Sequence, residues 1–163
     1  MSIFAVLFAL SALFPVHVLS RDLDPRVPVE IFVMSKCPDA AACETAFPVL
    51  ELLAISNVTV DYIAKYNAFT CMHGDSECTG NMQQLCARHV AQQNEQAWWR
   101  FVLGQDATQK AIPTNGKDCA EQSGLDYAQI ARCLADGTGE RLLKESIGRA
   151  ASVRVCCTIR VSL

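Results

Sequence analysis

Cysteine constrains this chain more than any other feature. Nine of its 163 residues are cysteine. Cytosolic proteins rarely carry that density unless the thiols bind metal, whereas exported proteins carry it as disulfides. Nine is odd, so at least one thiol stays outside any intramolecular bridge, bonds to another chain, or is reactive. The length suits one domain. At 19% charged residues, 51% apolar residues and a net charge of -3, the chain is not a disordered polyelectrolyte. No basic stripe points to nucleic acid.

The N-terminus agrees with export. Ile3 to Leu19 is an apolar run without a charged side chain, and Val18 and Ser20 stand at the -3 and -1 positions of a cleavage before Arg21. This predicts a signal peptide over residues 1–20. Retained as an anchor, the run would be short for a span and is broken by Pro15 and His17. No later segment is long and apolar enough to cross a bilayer, so no membrane association is expected after cleavage. All nine cysteines stay in residues 21–163. Asn57-Val58-Thr59 is then a glycosylation candidate at Asn57.

The remaining chain reads as α/β. Val29–Met34 is β-branched and aromatic, which predicts a buried strand. Ser35-Lys36-Cys37-Pro38-Asp39 ends it, with Asp39 able to cap a helix over 40–55 that Pro48 must kink. Val58–Ala64 alternates as a second strand. Residues 81–103 look helical, 108–122 turn-rich, and 125–135 and 139–150 helical again, with Leu142, Leu143 and Ile147 facing the core. Val153–Leu163 closes as a strand. The helical middle, about 75–137, reads as an insertion in a sheet domain.

Cys37 has the address of a reactive thiol. At the first turn of a helix it meets unpaired N–H groups and the positive end of the dipole, and Lys36 adds charge beside it. Asp39 works against this. A structural staple from loop to helix is the competing reading. The next thiol is Cys43, six residues on, and Cα atoms so spaced in continuous helix lie about 9 Å apart, beyond the roughly 7 Å a disulfide spans. The two could form a redox couple only if Cys37 folds back over the first turn.

Residues 71–86 contain Cys71, His73, Cys78 and Cys86. These are zinc-ligand types, but the export signal and the two-residue spacing from Cys71 to His73 argue for disulfides and no metal. His73 could serve as a base or staple the loop through backbone hydrogen bonds. The pattern C-x-H-G-x-x-E-C-x-x-N-x-x-x-x-C, carried by Cys71, His73, Gly74, Glu77, Cys78, Asn81 and Cys86, resembles the signature of the gamma-interferon-inducible lysosomal thiol reductase (GILT) family, with Met72 where the family has Gln. The form SKCPDA looks more like a divergent fungal-type member than an animal one.

The resemblance covers about residues 28–161 and implies a thioredoxin-like fold with a disulfide-rich helical insertion. It also implies reduction of protein disulfides in secretory, endosomal or vacuolar/lysosomal lumen, or secretion, with no cofactor. Partners would be disulfide-bonded proteins and small thiol reductants. The family's attacking cysteine falls on Cys37 and its resolving cysteine on Ala40, leaving Cys43 as the nearby second thiol. No proline stands at residues 152–155, where the fold usually places one opposite the active site, and Cys156 and Cys157 follow. The final strand and helix of the fold have no counterpart before Leu163, which suggests a partner chain at the sheet edge or a truncation. Structural disulfide candidates are Cys71, Cys78, Cys86, Cys119, Cys133, Cys156 and Cys157. The five in or beside the insertion are an odd set, so one of them pairs outside it, with Cys156 or Cys157 as the expected partner, or stays a thiol. Two functions compete: a thiol–disulfide oxidoreductase, and a catalytically inactive secreted protein that keeps the disulfide-stapled fold.

Overall fold

The computed structural model describes residues 26–65, 70–151 and 158–161. The leader, Cys156 and Cys157 lie outside that range, as does the first part of the last expected strand.

Strand β1 (Val27–Val33) lies between β2 (Ser56–Tyr62) and β3 (Thr158–Val161). It pairs in parallel with β2, from Val27 opposite Ser56 to Val33 opposite Tyr62, and antiparallel with β3, from Val29 opposite Val161 to Phe32 opposite Thr158. A strand covered on both faces must be apolar without alternation. Ile31, Phe32, Val33 and Met34 are accordingly all buried. The turn Ser35–Cys37 therefore leaves the carboxyl end of the central strand.

The helix after that turn is shorter than the sequence suggested. Helix α1 (Pro38–Ala46) starts with Pro38, whose missing N–H costs nothing in a first turn. Cys37, in extended conformation, is its N-cap, and Asp39 lies inside the first turn rather than capping it. Phe47 precedes Pro48 and is driven out of the helical region. Pro48 therefore separates α1 from the one-turn α2 (Val49–Leu52) instead of kinking one helix.

The middle of the chain is more finely divided than expected. Helices α3 (Asp75–Ala91) and α4 (Glu95–Ala107) replace a single helix, because Gln92 takes a φ of 51° and the Asn94 side chain caps α4 by accepting from the Ala97 N–H at 3.1 Å. The turn-rich stretch holds a 3-10 turn (Gln109–Ala111) and a true helix, α5 (Gly116–Ser123). Its polar composition hid it; Cys119 and Ala120 bury the face that packs on α4. Helices α6 (Tyr127–Ala135) and α7 (Thr138–Ala150) follow, with Ile130 buried in α6; of the three residues of α7 expected to face the core, Leu143 and Ile147 are buried and Leu142 is half-buried against it.

One core joins sheet and helices. Trp98 and Trp99 of α4 pack edge to face at 5.5 Å between centroids, with Phe101 and Val102 beside them. Val58 and Val60 of β2 and Leu85 of α3 belong to the same cluster. Helix α7 is pinned to the sheet: Ser146 Oγ accepts from Tyr62 N–H at 2.7 Å and donates to the buried Asp61 at 2.9 Å, while Arg149 forks onto the same carboxylate. Among the described residues no helix is long and apolar enough to cross a membrane.

Candidate active site

The turn that carries Cys37 is held by residues from the insertion. Ser35 N–H donates to Asn81 Oδ1 at 3.0 Å, and Ser35 Oγ donates to the Glu77 carbonyl at 3.2 Å. Gln109 Nε2 donates to the carbonyl of Cys37 at 2.8 Å and more distantly to that of Ser35. Lys36 Nζ donates to the carbonyls of Ile112 and Lys110 at 2.8 and 3.4 Å. The lysine expected to charge the site thus also ties its turn to the 109–112 segment. Gly80 lets α3 come this close: a Cβ there would collide with Ile112 and lie 2.7 Å from Ser35 Oγ.

The C-x-H-G-x-x-E-C-x-x-N run builds the other half of this clamp. Cys71 and Cys78 are bridged, with Cα atoms 5.5 Å apart. Asn81, fully buried, accepts from Ser35 and donates through Nδ2 to Cys71 Sγ at 3.7 Å. Gly74 caps α3 with a φ of 81°, a conformation that side-chain-bearing residues resist. Glu77, also fully buried, accepts from the His73 N–H and pairs with His73 Nδ1. His73 thereby closes its own loop. The bridge removes Cys71 and Cys78 from any metal-ligand set. Cys86 reaches in a different direction and bonds to Cys133 of α6, with Cα atoms 5.8 Å apart.

Cys37 and Cys119 are buried thiols. Cys43 is disulfide-bonded, and Cys37 is not its partner. Cys37 caps α1 in extended conformation instead of folding back over its first turn to reach Cys43. Cys119, expected among the disulfide candidates, keeps its thiol because α5 turns it into the α4 interface, where a Cβ on Gly104 would meet its sulfur at 3.3 Å. Burial pushes that thiol up, assisted by Asp118 and Asp106. Asn57 is half-buried, the second residue of β2, whose outer edge has no strand beside it among the described residues.

Several residues of the site were not anticipated: Ser35, Gly80, Gln109, and the buried carboxyls Glu44 and Asp106. Glu44 alone left a usable trace, an acidic residue seven positions after Cys37 on the same helical face.

A central strand running into a thiol-capped helix, with a helical layer folded over the turn, is the arrangement of thioredoxin-like thiol–disulfide exchange proteins. Solved structures of that kind superpose on it. MdbA, a thiol-disulfide oxidoreductase from Corynebacterium diphtheriae, matches with a TM-score of 0.60 at 11% identity, over 87% of this chain and 78% of its own. DsbA from Mycobacterium tuberculosis matches with a TM-score of 0.58 at 20% identity, over 87% and 75%. These likenesses define the fold.

The family follows from sequence. The family model described as gamma interferon inducible lysosomal thiol reductase (GILT) matches residues 28–123, and the chain belongs to that family, a family of the thiol-oxidoreductase kind. Among its relatives are a gamma-interferon-inducible lysosomal thiol reductase-like protein of Anopheles gambiae, 29% identical over 86% of this chain, and GILT-like protein 1 of Drosophila melanogaster, 27% identical over 74%. The matches span 67% and 58% of those relatives' own lengths.

Proposed function

We propose that this chain reduces disulfide bonds in proteins that pass through a secretory, endosomal or lysosomal lumen, with Cys37 as the attacking thiol. The observation that carries this reading is the position of Cys37 as N-cap of α1 at the end of the central strand, in a turn fixed by Asn81, Glu77 and Gln109. An apolar groove lined by Met34, Ile63, Ala64 and Cys71, with the exposed Met72 at its rim, lies beside the carboxyl ends of β1 and β2 and offers a surface for an extended substrate.

In the first step the Cys37 thiolate attacks one sulfur of a substrate disulfide. The substrate S–S bond breaks, a Cys37–substrate disulfide forms, and the other substrate sulfur leaves as a thiolate. Ala40 supplies no second thiol, and Cys43 is itself oxidised. Resolution is therefore assigned to a small thiol. Its thiolate attacks the Cys37 sulfur and releases the second substrate thiol; a second small thiol then restores Cys37. Two small thiols are oxidised for each substrate disulfide reduced.

The same two features favour a second reading, a non-catalytic protein that keeps the stapled fold. Turnover of a disulfide peptide with glutathione separates the two. Loss of turnover in Cys37→Ser supports the reductase; a folded parent that forms neither a glutathione-dependent product nor a covalent adduct with the peptide leaves the non-catalytic reading. Removal of residues 1–20 and a glycan on Asn57 belong to the same proposal, and intact mass of the exported chain reports both. An exported product beginning at Met1 would contradict it.

A further inference from the structure

Two side chains beside Cys37 use only part of their hydrogen-bonding capacity on the turn. Gln109 Nε2 donates to the carbonyls of Cys37 and Ser35, at 2.8 and 3.4 Å. Carbonyl oxygens repel another oxygen, so the end of the amide that faces them is its NH2 group. Both hydrogens of that group are then engaged, and Oε1 is left as an acceptor. Among the described residues nothing donates to Oε1. Gln109 is half-buried and this oxygen is open to solvent. A planar amide holds its nitrogen and oxygen about 2.2 Å apart, which puts Oε1 within about 5 Å of the Cys37 carbonyl oxygen.

Lys36 is the complement. Its ammonium carries three donors. Two reach the carbonyls of Ile112 and Lys110, at 2.8 and 3.4 Å. Among the described residues no acceptor takes the third, and Lys36 is half-buried. Both side chains are braced on one short stretch. Gln109 opens the 3-10 turn Gln109–Ala111, and its carbonyl accepts from the Ile112 N–H at 3.1 Å. Ile112 is itself buried, against Gly80. Long side chains lose rotamer freedom when they bind a ligand. These two are already held by the turn, so less is left to lose.

The pairing selects for a particular chemistry. A spare ammonium donor alone suits any anion. An acceptor oxygen beside it opposes an anion and requires a donor. A peptide group satisfies both, with a C=O for Lys36 and an N–H for Gln109. We propose that Lys36 and Gln109 are substrate-binding residues that take hold of a backbone peptide group next to the substrate cysteine, so that the site prefers disulfides in polypeptides to small disulfides without amides. The inference rests on Cys37 being the attacking thiol of the proposed function. It adds no covalent step to that reaction.

The test compares two substrates, a peptide disulfide and bis(2-methoxyethyl) disulfide, which has neither N–H nor C=O. The readout is the ratio of their kcat/KM values. Gln109→Met and Lys36→Met should each lower the ratio roughly two- to tenfold, the range that one hydrogen bond spans. Lys36→Arg keeps a donor to spare and should hold the ratio nearer the parent's. A loss common to both substrates, from a looser turn, cancels in the ratio. A parent ratio retained by folded Gln109→Met and Lys36→Met would overturn the proposal. The reductant is 2-mercaptoethanol, because glutathione carries peptide groups of its own. A dependence on the two residues that appears only after glutathione replaces it would assign the peptide group to the reductant, and would also overturn the proposal. Fluorescence anisotropy of a labelled peptide disulfide on Cys37→Ser gives a readout without turnover. Affinity should fall by the same factor when Gln109→Met is added, and an unchanged affinity or no saturable binding counts against the pair. A protein that binds the peptide through these residues but reduces neither disulfide refutes the proposed function and leaves the site standing.

Discussion

Two helix-borne thiols in this molecule are equally buried and differ in every other respect. Cys37 caps α1 at the end of the central strand, its turn bound by Asn81, Glu77, Gln109 and Lys36. Cys119 lies within α5, packed against Gly104 with Asp118 as its chain neighbour. Burial alone would make both inert. Only Cys37 stands where backbone N–H groups of a helix start are at hand, and only its backbone is fixed by another part of the chain. The two thiols differ in the place each is given, and the reactivity proposed for Cys37 rests on that difference.

The sharpest way to break this contrast is to exchange the two losses. Cys37→Ser should reduce disulfide turnover by orders of magnitude, while Cys119→Ser should leave it within about twofold. Peptide-disulfide reduction with glutathione measures both. Equal loss from the two would show that the distinction drawn between their surroundings is wrong.

A second test separates holding the helical layer together from holding the turn. Cys86–Cys133 closes a sequence separation of 47 residues between α3 and α6. Replacing both with Ser should cost about 2–4 kcal/mol in denaturant unfolding. Alkylation of Cys37 in the molecules that remain folded should be unchanged, since neither residue hydrogen-bonds to the turn. Asn81→Ala should do the reverse. It leaves the Ser35 N–H without its acceptor in a dry site, at a cost of about 1–3 kcal/mol, and should slow turnover per folded molecule. Asn81→Asp keeps an acceptor oxygen and should recover part of that loss. Unchanged turnover in folded Asn81→Ala would remove the clamp from the account of the site.

The sheet and the strand-to-helix turn that carries Cys37 were legible because they follow from local chemistry. The β-branched and aromatic run Val29–Met34 marks a buried central strand, and the Ser-Lys-Cys-Pro-Asp after it marks a helix start. The spacing of Cys71, His73, Gly74, Glu77, Cys78 and Asn81 showed that the segment mattered but not how. Asn81 acts on Ser35 across 46 positions of sequence, and periodicity carries no such information. The break between α3 and α4 was lost because Gln92-Gln93-Asn94 contains neither Gly nor Pro, and α5 because its composition resembles a turn until Cys119 and Ala120 find α4. Disulfide partners were illegible for the same reason: bridging depends on distance in the folded chain, which spacing leaves open. Lys36 was read as a local charge when its ammonium also reaches carbonyls more than seventy residues away.

Asp106 belongs to both sides of the comparison, since it pairs with Glu44 below Cys37 and raises Cys119 from α4. Its carboxyl, pushed up to about 7 by burial, retains in the native state a proton that the unfolded chain gives up near pH 4. Between those values the native state binds more protons than the unfolded one, so stability falls as pH rises, and the loss is complete above about 7. A shift of about three units corresponds to at most about 4 kcal/mol; the carboxyl oxygens are enclosed but the rest of Asp106 is half-buried, so nearby water screens part of that and about 1–2 kcal/mol is expected. Urea unfolding at pH 4.5 and pH 7.5 should therefore show the parent losing about that much more stability between the two than Asp106→Asn loses. Parent and variant changing in parallel would mean that Asp106 is already ionised at the lower pH, and Cys119 would then be the thiol that feels its full charge throughout.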